Sequence, residues 1–247
     1  MIKRTAGIRY AFMSLVGFGV VPPCTTREVG GVHVAVCEWT IPRDTVELYW
    51  RDARGNPIGS FARLDSIVRS RGRHLQFATN AGIFAVGQVP LGLFIQNGRG
   101  LVPLNLRDST AQPPPNFYLK PNGVFYIVKG HAAIIESGAY PGLGLHPDLA
   151  LQSGPLLVSG GRVHPAFNPN GASLYVRNGV GVRGDGTIVF AMARDPVNLY
   201  TFATIFRDGL QCPDALYLDG AISQLYVAPD APDTTGRFAG IIAVTVR

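Results

Sequence analysis

Turn signals recur along this chain at short intervals, and they constrain its fold more than any other feature. Asn97-Gly98, Pro121-Asn122-Gly123, Gly160-Gly161 and Gly184-Asp185-Gly186 each interrupt an apolar or alternating run. Asn and Gly supply the positive φ that tight hairpins require. The strongest hairpin is read at "FYLKPNGVFYIV", as two strands around Pro121-Asn122-Gly123. "LGLFIQ" runs into Asn97-Gly98, and "SLYVRNGVGVRGDGTIVFAMA" reads as two strands joined at Gly184-Asp185-Gly186. With 30 Gly and 19 Pro in 247 residues, a strand-rich fold is expected rather than a bundle of long helices.

Two stretches depart from strand patterning. Phe61, Leu64, Ile67 and Val68 recur at helical spacing. Leu199, Phe202, Ala203, Phe206 and Leu210 do the same, with Gly209 where a helix C-cap is expected. Each stretch runs through a short link into an apolar strand that ends in a polar residue and small residues, "HLQFATNAGI" and "ALYLDGAIS". Side by side, these strands would turn Asn80 and Asp219 toward one crevice at their carboxyl ends, a common ligand position. The expected fold class is α/β in the α+β sense. It is a single domain over residues 30–247, with a mixed, largely antiparallel β-sheet core and a few packed helices.

The N-terminus reads differently. Lys3, Arg4 and Arg9 precede an apolar run from Tyr10 to Val21, the pattern of a secretory signal. Residues 1–23 are therefore expected to be a signal segment and the protein to be exported, periplasmic or secreted; a cytosolic protein with an apolar first strand is the alternative. The run is too short for a transmembrane helix. Those three basic residues supply half of the formal net charge of +6. No dense Lys/Arg patch remains, which argues against nucleic acid as a partner. A lipid anchor at Cys24 would be the one route to a membrane, although Pro22 and Pro23 stand where lipoproteins carry a small residue. If Cys24 is lipidated or removed, Cys37 and Cys212 are left as an even pair; three unbonded thiols are the alternative.

Several familiar site motifs are absent: there is no P-loop, no G-x-S-x-G and no H-E-x-x-H. His33, His74, His131, His146 and His164 show no ligand spacing, so no metal site is read from them. No cofactor is demanded, and a divalent cation (Ca²⁺ or Mg²⁺) assisting at Asp219 is left open. Carboxylates carry the better chemistry, because glycosidic cleavage uses one to protonate the leaving oxygen and one as base or nucleophile. Asp219, at the end of an apolar strand, is the first candidate, with a plain Asx-turn as the alternative. Glu136 in "AAIIESGAY" is the second, with a strand-end surface charge as its alternative. Arg177 and Asn178 interrupt "LYVRNGVGV". A buried Arg demands a partner and its planar fork suits phosphate, whereas an outward-pointing strand Arg needs neither. Gln152 and Ser153 precede Gly154-Pro155, where a bulge, a plain turn or close approach of a ligand all fit.

Taken in order, "TNAGIF", "NFYLKPNGVFYI", "LQSGPLLVSGGRV", "RNGVGV" with "DGTIVF", and "ALYLDGAIS" resemble the phosphodiester glycosidase domain family, and most of all its bacterial exported branch. The resemblance covers most of the chain. It implies a mixed α/β fold and cleavage of a sugar from a phosphodiester at its anomeric carbon. It puts the family's Asn-Gly-Gly-type motif on Asn80-Ala81-Gly82 and its Leu-Asp-Gly-Gly-type motif on Leu218-Asp219-Gly220, followed by Ser223. Ala221 and Ile222 replace glycine-rich positions there and would reshape the pocket. On this reading Asp219 and Glu136 are the catalytic carboxylates and Arg177 holds the phosphate. Asn80, Gln152, Ser153, Asn178 and Ser223 bind sugar hydroxyls or phosphate oxygens. The partner is then a small-molecule or glycan phosphodiester. A non-catalytic envelope protein that binds a phosphorylated glycan is the alternative.

Overall fold

The structure is a computed structural model of the chain, and it describes residues 23–42 and 44–247. Apart from Pro23, the signal segment expected over residues 1–23 lies outside the described residues. In chain order the strands are β1 (Cys24–Val29), β2 (Val32–Trp39), β3 (Val46–Tyr49), β4 (His74–Ala81), β5 (Phe84–Ala85), β6 (Val89–Pro90), β7 (Phe94–Gln96), β8 (Arg99–Val102), β9 (Gly123–Val128), β10 (His131–Glu136), β11 (Leu149–Ser153), β12 (Leu156–Ser159), β13 (Arg162–Val163), β14 (Asn178–Val182), β15 (Ile188–Ala193), β16 (Asp214–Asp219), β17 (Leu225–Val227) and β18 (Gly240–Val246). The α-helices are α1 (Phe61–Arg69) and α2 (Leu199–Thr204), the latter continued by a π-helical turn, Ile205–Gly209.

Three sheets surround one core. The first runs β1-β2-β15-β14-β16-β12-β13, the second β10-β9-β11-β7-β8 and the third β17-β4-β18-β3. Every neighbouring pair is antiparallel. The expected single domain with a largely antiparallel sheet core and few helices is present, but the balance is mainly β, and no parallel pair occurs among the described residues. The physical reason is the linkers: parallel neighbours need long crossovers, and this chain spends its connections on short hairpins.

Alternate residues of each strand turn inward. Trp39, Phe190 and Leu218 of the first sheet meet Phe94 and Phe125 of the second and Phe77 and Ile242 of the third in one buried cluster. The Phe77 ring lies 5.1 Å from Phe190 and 5.8 Å from Trp39, tying two sheets together. Fully burying one such ring contributes about 2–3 kcal/mol. The opposite face of the first sheet is covered by α2 and its π turn, whose Phe202 and Phe206 pack on Ala215 and Tyr217. Gly179 and Gly181 make that approach possible, since a Cβ on either would crowd Phe206 at 3.1 or 2.8 Å. The alternating glycines of "NGVGV" are therefore a packing requirement. On the third sheet α1 lays Phe61, Leu64 and Val68 against Ala78 and Phe238, and Ser60 caps it by accepting from the Arg63 N–H.

The hairpins at Asn97-Gly98, Gly160-Gly161 and Gly184-Asp185-Gly186 are present as read. The one at Pro121-Asn122-Gly123 is not. Asn116–Tyr118 is a 3₁₀ turn instead of a strand, and Asn122 is buried with its Nδ2 donating to the Phe117 carbonyl. The β9–β10 hairpin closes one strand later, at Lys129 and Gly130, both with positive φ. Gly209 is not a left-handed cap either. A Cβ there would collide with Val29, and Gln211 takes the positive φ.

Cys24 and Cys37 stand opposite each other on β1 and β2 and form a disulfide. This corrects both the Cys37–Cys212 pairing and the lipid anchor at Cys24, whose sulfur is used in the bridge. Cys212 is a free buried thiol, its pKa pushed up to about 12 by burial. No helix among the described residues is long and apolar enough to cross a membrane.

Candidate active site

The alternation of β16 decides which of its residues meet solvent. Leu216 and Leu218 enter the central core, while Ala215 and Tyr217 face the other way. Asp219 follows on the Tyr217 side. The register slips at this point: Asn178 opposes Asp219 and Gly179 opposes Tyr217, so Leu218 has no counterpart on β14. Such bulges bend a strand and re-aim its side chains.

The bend opens onto a cleft of about 520 Å³. Tyr217, Asp219, Gly220 and Ala221 line it together with Ser173, Tyr175, the run Pro113-Pro114-Pro115, Asn116 and Phe117. Asp219 is the one carboxylate in this lining. Its side chain is held by the chain that follows. Oδ1 accepts the N–H groups of Gly220 (2.6 Å), Ala221 (2.8 Å) and Ile222 (3.4 Å). Oδ2 has no hydrogen-bond partner among the described residues. Burial of Asp219 raises its pKa, and the three backbone donors only partly oppose this. The anticipated Asx-turn is present, closed on one carboxylate oxygen of a residue that also lines the cleft.

Behind Asp219 lies a buried polar network that joins two sheets. Asn178 Nδ2 donates to Thr79 Oγ1 and to Asn80 Oδ1, each at 2.9 Å. Asn80 Oδ1 also accepts the Gln224 N–H at 2.9 Å. Ser223 Oγ donates to the Asp219 carbonyl at 3.0 Å and lies 3.3 Å from Asn178 Oδ1. Asn80 and Asn178 are each 1% exposed. Asn80, Asn178, Ser223 and Asp219 are therefore brought together, although Asn80 and Asp219 do not lie on adjacent strands. β4 and β16 belong to different sheets, and Asn178 spans the gap. This arrangement makes the two asparagines supports of the Asp219 turn.

Arg177 is also 1% exposed. Its Nε donates to the Val197 carbonyl (2.8 Å), one terminal nitrogen to the Ser173 carbonyl (2.8 Å) and the other to the Tyr217 hydroxyl (2.9 Å). No carboxylate pairs with it among the described ion pairs. Arg177 is thus buried with each of its three nitrogens donating to a protein oxygen, and no open fork toward the cleft is shown. One of its terminal nitrogens also holds the hydroxyl of Tyr217, a residue of the cleft lining.

Three other candidates stand elsewhere. Gln152 is buried and fully hydrogen-bonded: Oε1 accepts from Leu93 and Asn105 N–H, and Nε2 donates to the Asn105 carbonyl and Ser137 Oγ. It clamps a loop onto β11 and has no free group for a ligand. Ser153 is buried, with Oγ donating to the Leu218 carbonyl, so it supports β16 from below. Glu136 ends β10 on the second sheet, exposed and outside the cleft lining. It does not form a pair with Asp219.

Tyr217, Tyr175, Ser173 and Asn116 were not singled out from sequence. Tyr217 looked like one more apolar residue of a buried strand; only its two-residue spacing from Asp219 marks it as sharing a face. Tyr175 is 51% exposed, and its ring lies over the Arg177 guanidinium at 5.3 Å. Among the described residues no three His, Cys, Asp or Glu side chains gather as a metal-ligand set.

Comparison with known proteins places the chain within a family. A family model described as phosphodiester glycosidase matches residues 73–244, more than half of the chain. An Escherichia coli K12 protein described as uncharacterized protein YigE is 37% identical over 184 residues, covering 74% of this chain and 70% of its own length. In three dimensions the chain is similar to the catalytic domain of zebrafish N-acetylglucosamine-1-phosphodiester alpha-N-acetylglucosaminidase, auto-inhibited by its pro-peptide. That match has a TM-score of 0.62 at 15% identity and covers 87% of this chain and 78% of the other. A hypothetical protein from Synechocystis is similar as well, with a TM-score of 0.55 at 16% identity over 91% of this chain and 61% of the other.

Proposed function

The chain belongs to the phosphodiester glycosidase family, and from that premise we propose that it hydrolyses a sugar-1-phosphodiester between the anomeric carbon and the phosphate oxygen. One observation carries this reading. The cleft holds a single carboxylate, buried and anchored through Oδ1, with Oδ2 open.

Asp219 acts as a general base. Its Oδ2 takes a proton from water, the water oxygen bonds to the anomeric carbon, and the bond to the phosphate oxygen breaks with its electron pair passing to phosphate. Burial raises the pKa of Asp219, which strengthens it as a base. A departing phosphate needs little protonation, so the acid partner of an ordinary glycosidase is dispensable and the exposed Glu136 is not required. The Arg177 charge, without a carboxylate to neutralise it, favours an anion in the cleft. The exposed Tyr175 ring offers a face for a sugar to stack on. With one carboxylate and one attack on carbon, the released sugar has the inverted anomeric configuration.

The Cys24–Cys37 disulfide supports an exported setting, periplasmic or secreted, because such bonds persist in oxidising compartments. The experiment is release of reducing sugar from a panel of sugar-1-phosphodiesters by the parent and by Asp219→Asn. Turnover by the parent and its loss in the variant is expected. Equal turnover by both removes Asp219 from the mechanism.

A further inference from the structure

The Tyr217 hydroxyl occupies a constrained position that the base chemistry of Asp219 does not use. Its oxygen accepts a hydrogen bond from Arg177 at 2.9 Å. A phenol oxygen so engaged directs its own proton away from the arginine. The Asn116 side chain, another lining residue of the cleft, is its other polar neighbour. Gly220 closes the third side: a Cβ there would overlap the Tyr217 hydroxyl and come within 3.3 Å of the Arg177 terminal nitrogen. A glycine at 220 therefore leaves room for the hydroxyl of Tyr217, a residue only 1% exposed that lines the cleft together with Asp219.

We propose that Tyr217 is a catalytic hydrogen-bond donor to the departing phosphate oxygen, with Arg177 as the positioning residue that fixes its proton toward the cleft. The inference rests on the phosphodiester reading above and assigns the leaving-group side of the same site. As the anomeric C–O bond breaks, the electron pair goes to the bridging oxygen. The Tyr217 O–H and the Arg177 charge behind it stabilise that oxygen without transferring a proton, while the proton lost by water goes to Asp219. The charged groups facing Tyr217 are Arg177 and Asp219, and burial pushes its pKa up to about 12, so the donor stays protonated at working pH.

The test compares the parent with Tyr217→Phe, which keeps the ring and its packing. On the methyl phosphodiester of a sugar-1-phosphate that the parent turns over, kcat is expected to fall roughly 100-fold, with KM changed less than threefold. Replacing Tyr217 by 3-fluorotyrosine, a stronger acid, moves the alkaline limb of the kcat profile to lower pH. Arg177→Lys keeps the charge but loses the fork, and lowers kcat in the same sense. Calorimetric binding of methyl phosphate needs no turnover, and is expected to weaken at least tenfold in Tyr217→Phe. Wild-type kcat and wild-type methyl phosphate affinity in Tyr217→Phe overturn the proposal even if the parent hydrolyses phosphodiester glycosides. An inactive parent whose methyl phosphate affinity depends on Tyr217 defeats the hydrolytic reading and leaves the donor role standing.

Discussion

Asn178 stands directly opposite Asp219 across the β14–β16 pair, and its amide donates to Asn80 of another sheet at 2.9 Å. The Asp219 turn is thus fastened at its base to two sheets. Its tip carries only backbone amides closing on one carboxylate oxygen. That separation between a rigid base and an open oxygen gives the predictions below.

Asp219→Asn keeps an oxygen that accepts the three amides and removes the base. Turnover is expected to fall at least 100-fold. Because burial raises the folded pKa of Asp219, protonation favours the folded state. The stability linked to this group is fully present below the unfolded pKa and is lost as pH rises through the folded one. At pH 7 the neutral variant should therefore melt no lower than the parent. A clear fall in melting temperature would show that the charge stabilises the turn.

The same shift sets the pH profile. The base must be ionised, so kcat rises with pH along a limb lying above the ordinary aspartate range. Residual activity of Asp219→Asn should lack that limb. An acidic limb that persists unchanged in the variant assigns it to another group.

Gly220→Ala adds one methyl group against the Tyr217 hydroxyl and the Arg177 guanidinium. The side chains must shift, and kcat is expected to fall by roughly 100-fold while the circular dichroism spectrum stays that of the parent. Full activity in this variant would mean that the hydroxyl has no fixed position.

Tyr175→Ala removes an exposed ring, so stability should hold. KM is expected to rise about 3- to 10-fold with little change in kcat, as for loss of one stacking contact. An unchanged KM on every substrate places the sugar elsewhere in the cleft.

The Cys24–Cys37 bridge closes a loop with a sequence separation of 13. Reduction should cost about 3 kcal/mol of folding stability, measured by urea unfolding with and without reductant. Only one thiol, Cys212, should titrate in the unreduced, unfolded protein.

The sequence revealed the hairpins whose turns need positive φ at the turn itself, because Asn-Gly and Gly-Gly have few other uses. It misled at Pro121-Asn122-Gly123, where Asn122 is bound to the Phe117 carbonyl, a contact between residues whose meeting depends on the whole fold. The Asp219 turn was legible because an acid at the end of an apolar strand needs a local explanation. Gln152 looked like a ligand group for the same reason, yet four internal partners satisfy it. Tyr217 was hidden by its hydrophobic ring. Glu136 and Arg177 show the general limit: periodicity tells that a charged residue sits in a strand, while only sheet packing decides whether it meets water, a cleft or a row of carbonyls.

The most direct test of the central claim is the anomeric configuration of the first product. Proton NMR of a sugar-1-phosphodiester incubated with the parent, read before mutarotation, should show the inverted anomer, and Asp219→Asn should release none. A retained anomer would contradict a single displacement driven by one base and would require a nucleophile in the cleft.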